Sequence, residues 1–209
     1  SPEKDQRQKV WWSVTVLWEW QQRPREEQER VTLQLRPGGL LLSHPVHGPL
    51  DRNEQVVLVT ESNPRSTTGL ILNDLSNHNL RALLEDKGIN WYEDNNLYIG
   101  GPHNPNALVM LHTDEWYSEN TSYIDNHLSM SSDRFMMEKL EAGNSPDWYR
   151  LFVGFEVWDA QDIEHQLRTR KPEWLFLPKP SQVLIELADE ELWHNAVAEY
   201  SQDVFNTYF

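Results

Sequence analysis

The residues from Leu97 to His112 most constrain what this chain can fold into: Leu-Tyr-Ile-Gly-Gly-Pro-His-Asn-Pro-Asn-Ala-Leu-Val-Met-Leu-His. Two apolar runs, Leu97–Ile99 and Ala107–Leu111, flank a corner and a polar loop. Gly100 and Gly101 reach backbone angles closed to other residues. Pro102 fixes the next φ and removes a donor. An unbroken apolar run of strand length belongs inside a sheet covered on both faces. The stretch therefore predicts two central strands joined at a fixed corner. Backbone amides at such a corner can hold an anion, and the same residues also make a plain tight turn.

Charge narrows the partner classes. The formal net charge is −15 over 209 residues. Residues 1–36 hold seven Lys/Arg against six Asp/Glu, which leaves eleven basic and twenty-seven acidic residues in 37–209. No Lys or Arg occurs from Gly88 to Asp133, or after Lys179. Nucleic-acid binding rests on cations that neutralise phosphates, so this composition argues against direct contact with nucleic acid. Acidity serves solubility. It also suits a surface for a basic protein, or one that imitates DNA. There is no cysteine, which excludes disulfides, thiolate metal sites and a cysteine nucleophile. No apolar run approaches the roughly 20 residues of a membrane span, and no signal peptide opens the chain. The expected compartment is a bacterial or phage-infected cytoplasm, or a plastid stroma.

Two parts are expected. Residues 1–36 read as an extension: a Trp-rich strand from Val10 to Trp20, a charged linker broken by Pro24, and an alternating strand from Val31 to Leu35. Trp11, Trp12, Trp18 and Trp20 either pack on the domain or anchor a partner, for which exposed Trp is well suited. Residues 37–209 read as one α/β domain of the α+β type. Its expected strands are Gly39–Pro45, Val56–Thr60, Gly69–Asn73, the central pair, Ile124–Met130, Trp148–Val157 and Trp174–Leu177. Its expected helices are Leu80–Lys87, capped by Asp74 or Asn77, one after Ser131 and Ser132, one from Asp159 to about Arg170, and Leu187–Tyr200. Phe135, Met136 and Leu140 are expected in the core. His44 and His47 have the spacing of two ligands, but Pro45 breaks any helix there and a metal needs further convergent ligands. Neither a metal nor a cofactor is expected.

Five motifs in order resemble the AlgH/YqgE family from about Gly38 to Trp193. They are Leu41-Leu42-Ser43-His44-Pro45, Gly69-Leu70-Ile71-Leu72-Asn73, Ile99-Gly100-Gly101-Pro102, Leu111-His112 and Gly154-Phe155-Glu156-Val157-Trp158. The resemblance implies a mostly antiparallel, barrel-like sheet flanked by helices. It implies a family described as regulating transcription, with no established catalytic activity. The chain departs from the family pattern at Asp74, where a basic residue is usual, and at Asp159 and Gln161, where glycines are usual.

No phosphate-binding loop, dinucleotide fingerprint, His-Glu-x-x-His or serine elbow occurs. The candidate ligand corner is Asn73, Gly100, Gly101, Pro102, His112 and Trp158, with His112 the most reactive single group or a histidine satisfied by a backbone partner. The reading that follows is a non-enzymatic protein-binding or assembly factor, docking another protein or a large complex through its Trp-rich extension and acidic surface. The alternatives are a regulator acting on a basic, nucleic-acid-binding protein, and an enzyme or small-ligand binder at the Gly-Gly-Pro corner.

Overall fold

A computed structural model describes residues 35–91, 95–125, 127–187 and 189–209. The strand expected over Val10–Trp20, with Trp11, Trp12, Trp18 and Trp20, falls outside the described residues, as does most of that expected over Val31–Leu35. Among those described are nine strands: β1 Leu40–Ser43, β2 Val56–Ser62, β3 Ser66–Ile71, β4 Leu97–Ile99, β5 His103–Thr113, β6 Ser122–Tyr123, β7 Leu128–Ser131, β8 Tyr149–Asp159 and β9 Trp174–Leu177. Four α-helices accompany them: α1 Leu80–Glu85, α2 Arg134–Glu141, α3 Ala160–Arg168 and α4 Asp189–Tyr208. The fold is α+β and its sheet pairings are mostly antiparallel. Contacts separate it into two compact units, one of 68–157 and one whose described part is 35–67 with 158–209. No helix among the described residues is long and apolar enough to cross a membrane.

In the split unit, β1 runs between β2 and β9, pairing Leu40 with Leu58 and with Leu177. Every residue of β1 and β9 is buried, as continuous apolar strands require. Helix α4 lays Leu192, Ala196, Val197, Tyr200 and Val204 inward, and its Trp193 indole donates to the Ser43 carbonyl at 3.0 Å. It continues two turns past the expected end at Tyr200. Asp159 caps α3, accepting from the Gln161 amide at 2.9 Å.

After β1 the chain turns on His44. Its buried Nδ1 accepts from the Val46 and His47 amides, both at 3.0 Å, and its ring stacks on His47 with centroids 4.8 Å apart. The two histidines thus shape a turn. Among the described residues no set of three or more metal-ligating side chains converges.

In the continuous unit, α1 and α2 cover a core of Leu80, Leu84, Trp91, Leu97, Met110, Trp116, Met136, Met137, Leu140 and Leu151. Four expectations change here. The strand expected over Ile124–Met130 begins only at Leu128, because the Ile124 and Asp125 amides turn back onto the Leu128 carbonyl at 3.0 and 3.2 Å. Asn79 caps α1, accepting from Arg81 N at 2.8 Å, in place of Asp74 or Asn77. Asp133 caps α2, accepting from Met136 N at 2.8 Å, rather than either serine. Phe135 is 41% exposed, and Met137 takes its expected place in the core.

His44 makes the fold acid-sensitive. Burial, aided by the neighbouring His47, lowers its pKa from 6.5 to about 4. The unfolded chain binds the proton first, so stability is full above pH 6.5 and falls as pH drops toward 4. The loss reaches about 2–3 kcal/mol at about 1.4 kcal/mol per pH unit. His44→Asn keeps a side-chain acceptor and removes the titration. Urea midpoints between pH 7.5 and 4 are expected to fall less in this variant than in the parent.

Candidate functional site

Strand β8 organises the continuous unit. On one side β4 pairs with it in parallel, Leu97 with Leu151 and Ile99 with Val153. On its other side β5 pairs antiparallel, Leu108 with Val153 and His112 with Tyr149. The two apolar runs are central strands, but they are not each other's neighbours: they flank β8. Gly100-Gly101-Pro102 must carry the chain from one side of β8 to the other. Those sides lie about 9.5 Å apart, and His103 rejoins β8 two residues beyond Val153, so the chain must cover about 12 Å. The four Cα steps from Ile99 to His103 span at most about 14 Å, which leaves little slack to arch over side chains.

Backbone lies on backbone at this crossing. A Cβ on Gly100 would strike the Gly154 carbonyl, one on Gly101 the Phe155 carbonyl and Glu156 nitrogen, and one on Gly154 the Gly101 carbonyl. Gly154 also has φ +70°, which glycine adopts without strain. Past the crossing His103 pairs with Phe155, and β5 then bulges before rejoining at Leu108, with Asn104 at φ +47°.

The Gly100 amide, one of those expected to bind an anion, is already used. Gly100 donates to the Val153 carbonyl at 2.9 Å, and its own carbonyl accepts from Ile71 N at 2.9 Å. Asn73 is half-buried on the segment beside β4, where the Asp74 carbonyl accepts from Ile99 N at 2.8 Å. Burial pushes the Asp74 carboxyl above the usual carboxylate range. The cation at this strand end comes from β8 instead. Arg150 Nη1 donates to the Leu72 carbonyl at 2.8 Å, and its guanidinium lies 4.4 Å from the Tyr98 ring and 5.7 Å from Trp148. Sequence offered no signal for that contact, which joins residues 78 positions apart.

Asn73, Gly100, Gly101 and Pro102 thus come together, but His112 does not join them. It pairs opposite Tyr149, four positions along β8 from Val153, about 14 Å away by strand rise. Trp158 belongs to the other unit, its ring edge-on to Trp174 at 6.0 Å.

His112 is fully buried. Its Nδ1 sits 2.9 Å from the Thr113 carbonyl, which can only accept, so Nδ1 carries the proton. In the neutral ring Nε2 then accepts from the Ser131 hydroxyl at 2.8 Å. Ser131 accepts in turn from Thr121 at 2.7 Å, and Thr121 from the Ser118 amide at 2.7 Å. The Ser118 hydroxyl donates to Asp133. Burial would raise the Asp133 carboxyl, but donors from Ser118, Met136 and Asn120 outweigh it and hold it below its usual value. A His–Ser pair at this distance is the spacing of a base and its nucleophile. Here Ser131 is 1% exposed, and the ring's other nitrogen faces a backbone carbonyl. The chain of hydroxyls fastens the loop before β6 to β7 and to the start of α2. Burial lowers the His112 pKa, which keeps the ring neutral as the chain requires. Satisfaction by a backbone partner, one of the two readings of His112, is what the structure shows.

Comparison with known proteins places this architecture. The chain matches the AlgH-like family over residues 40–204. It is similar to a UPF0301 protein of Desulfotalea psychrophila, 31% identical over 153 residues, covering 72% of this chain and 80% of that one. It is also similar to a UPF0301 protein of Shewanella denitrificans, 23% identical over 72% of this chain and 83% of that one. Among solved structures, the AlgH protein of Pseudomonas aeruginosa superposes with a TM-score of 0.66 at 26% identity, covering 79% of this chain and 90% of that chain. A protein of Corynebacterium diphtheriae shares the fold with a TM-score of 0.64 at 19% identity, covering 86% and 98%. The α+β class is that of AlgH-like proteins. The chain belongs to the AlgH-like family.

Two sets of variants test the geometry. Gly101→Ala or Gly154→Ala is expected to cost more than about 3 kcal/mol, because backbone rather than a side chain would have to move. Gly143→Ala, with open space at φ +78°, is expected to cost only about 1 kcal/mol. Equal losses in urea unfolding would contradict a crossing with little slack. Ser131→Ala leaves His112 Nε2 without its donor and is expected to cost about 1–3 kcal/mol.

Proposed function

We propose that this AlgH-like chain acts by binding another protein rather than by catalysis, and that its partner is basic. The observation that carries the reading is that the groups best placed for small-molecule chemistry serve the fold. The Gly100 amide bonds Val153, the space over Gly101 and Gly154 is filled by backbone, and both His112 nitrogens are engaged in a buried network. What remains for recognition is the surface, and the charge of 37–209 is strongly negative, eleven basic residues against twenty-seven acidic. A like-signed surface steers and selects an oppositely charged partner. Trp11, Trp12, Trp18 and Trp20 supply the residue type that most often anchors an interface, in a segment preceding the family match at residue 40. Direct nucleic-acid binding is not part of this reading, since phosphates would meet carboxylates. A regulator acting on a basic, nucleic-acid-binding protein is the special case in which the partner also binds nucleic acid.

The test is affinity capture by the full chain and by a variant with Ala at Trp11, Trp12, Trp18 and Trp20, with mass-spectrometric identification. A basic protein retained by the parent, lost from the variant and weakened by 0.5 M salt is the expected result. A partner set indifferent to both changes would overturn it.

A further inference from the structure

Among the exposed rings of the continuous unit are Tyr117, 70% exposed, and Phe135, 41%. One cation shows that they form a single patch. The Lys139 ammonium lies 4.4 Å from the Tyr117 centroid, 4.8 Å from Trp116 and 5.4 Å from Phe135. It also donates to the Tyr117 carbonyl at 2.6 Å. Trp116 is buried and its indole nitrogen bonds Asn144 at 3.2 Å, so the floor of this aromatic cluster is fixed. Ring faces attract cations, and these three already hold one.

Both cations of the patch have partners. Lys139 is engaged as described, and Arg134, 92% exposed, reaches Glu138 at 3.2 Å. The loop from Asp114 to Asp125 adds Asp114, Glu115, Glu119 and Asp125 with no Lys or Arg. Glu115 holds the Asp147 amide, and Asp125 holds the His127 and Leu128 amides. Asp114 and Glu119 are exposed on the same loop, Glu119 two residues from Tyr117.

We propose that this face, Tyr117 and Phe135 with Glu119 beside them, docks an arginine-bearing segment of the basic partner protein. The inference rests on the protein-binding reading above and names its surface. Arginine fits better than lysine. Lys139 already supplies a compact ammonium among the rings, whereas a planar guanidinium stacks on an aromatic face and still offers donors to a carboxylate.

The test uses the full chain and fluorescein-labelled nine-residue peptides alternating Arg with Gly, or Lys with Gly, followed by fluorescence anisotropy. The Arg peptide is expected to bind more tightly than the Lys peptide. Tyr117→Ala with Phe135→Ala is expected to weaken it roughly tenfold, and Glu119→Lys to weaken it while leaving both rings in place. Phe205→Ala with Phe209→Ala, the exposed stacked pair at the end of α4, is expected to change nothing. Equal binding by the parent, the two-ring variant and Glu119→Lys would overturn this surface and leave the basic-partner reading standing. No binding of either peptide by the parent would overturn both.

Discussion

The contact on which the continuous unit depends is backbone against backbone, where Gly100-Gly101-Pro102 passes over Gly154 and Phe155. A sheet strand normally presents side chains on both faces at alternate positions. A chain crossing that face must either arch over them or meet a strand that lacks them. The four Cα steps from Ile99 to His103 leave little length for an arch, and the second solution is the one adopted. Glycine is then needed on both partners, at Gly100 and Gly101 above and at Gly154 below. With the crossing in place, β8 has neighbours on both sides over Leu151–Val153, and Met110, Leu97 and Leu151 enter one core.

The polar network of His112 belongs to the same logic. β5 is pinned at its start by the crossing, and its last residues carry His112 into a buried position against β7. A buried imidazole is costly unless both nitrogens are paired. The Thr113 carbonyl and the Ser131 hydroxyl meet that demand, and Thr121, Ser118 and Asp133 extend the pairing to a helix cap. One histidine thereby ties the loop before β6 to β7 and the start of α2.

Much of this was legible in sequence. The apolar runs at Leu97–Ile99 and Ala107–Leu111 announce strands, and within those runs Ile99 alone is exposed while Ala107 and Leu108 are half-buried. The ordered motifs announce the family. Which strand lies beside which was not legible, because an apolar run records burial on two faces and says nothing of its neighbours. The caps were misjudged for a related reason. Asp74, Asn77 and Asn79 are chemically equal candidates, and only the backbone decides which stands next to the first turn. Phe135 was misplaced because the apolar stripe of α2 was read without Lys139, whose ammonium gives that ring a role at the surface. Arg150 was overlooked because its carbonyl partner belongs to a segment 78 residues earlier.

The departures from the family pattern fit the same division. Asp74 stands where the family resemblance implied a basic residue, and Arg150 of β8 brings a guanidinium to the nearby Leu72 carbonyl. Asp159 replaces a usual glycine, and its carboxylate caps α3 from within. These changes leave the crossing untouched, since it is made of backbone and needs only glycines and a reach. A fold secured in this way constrains its surface little. Relatives at 23–31% identity differ from this chain at most positions, and a fold held by backbone contact leaves side chains away from the crossing free to differ.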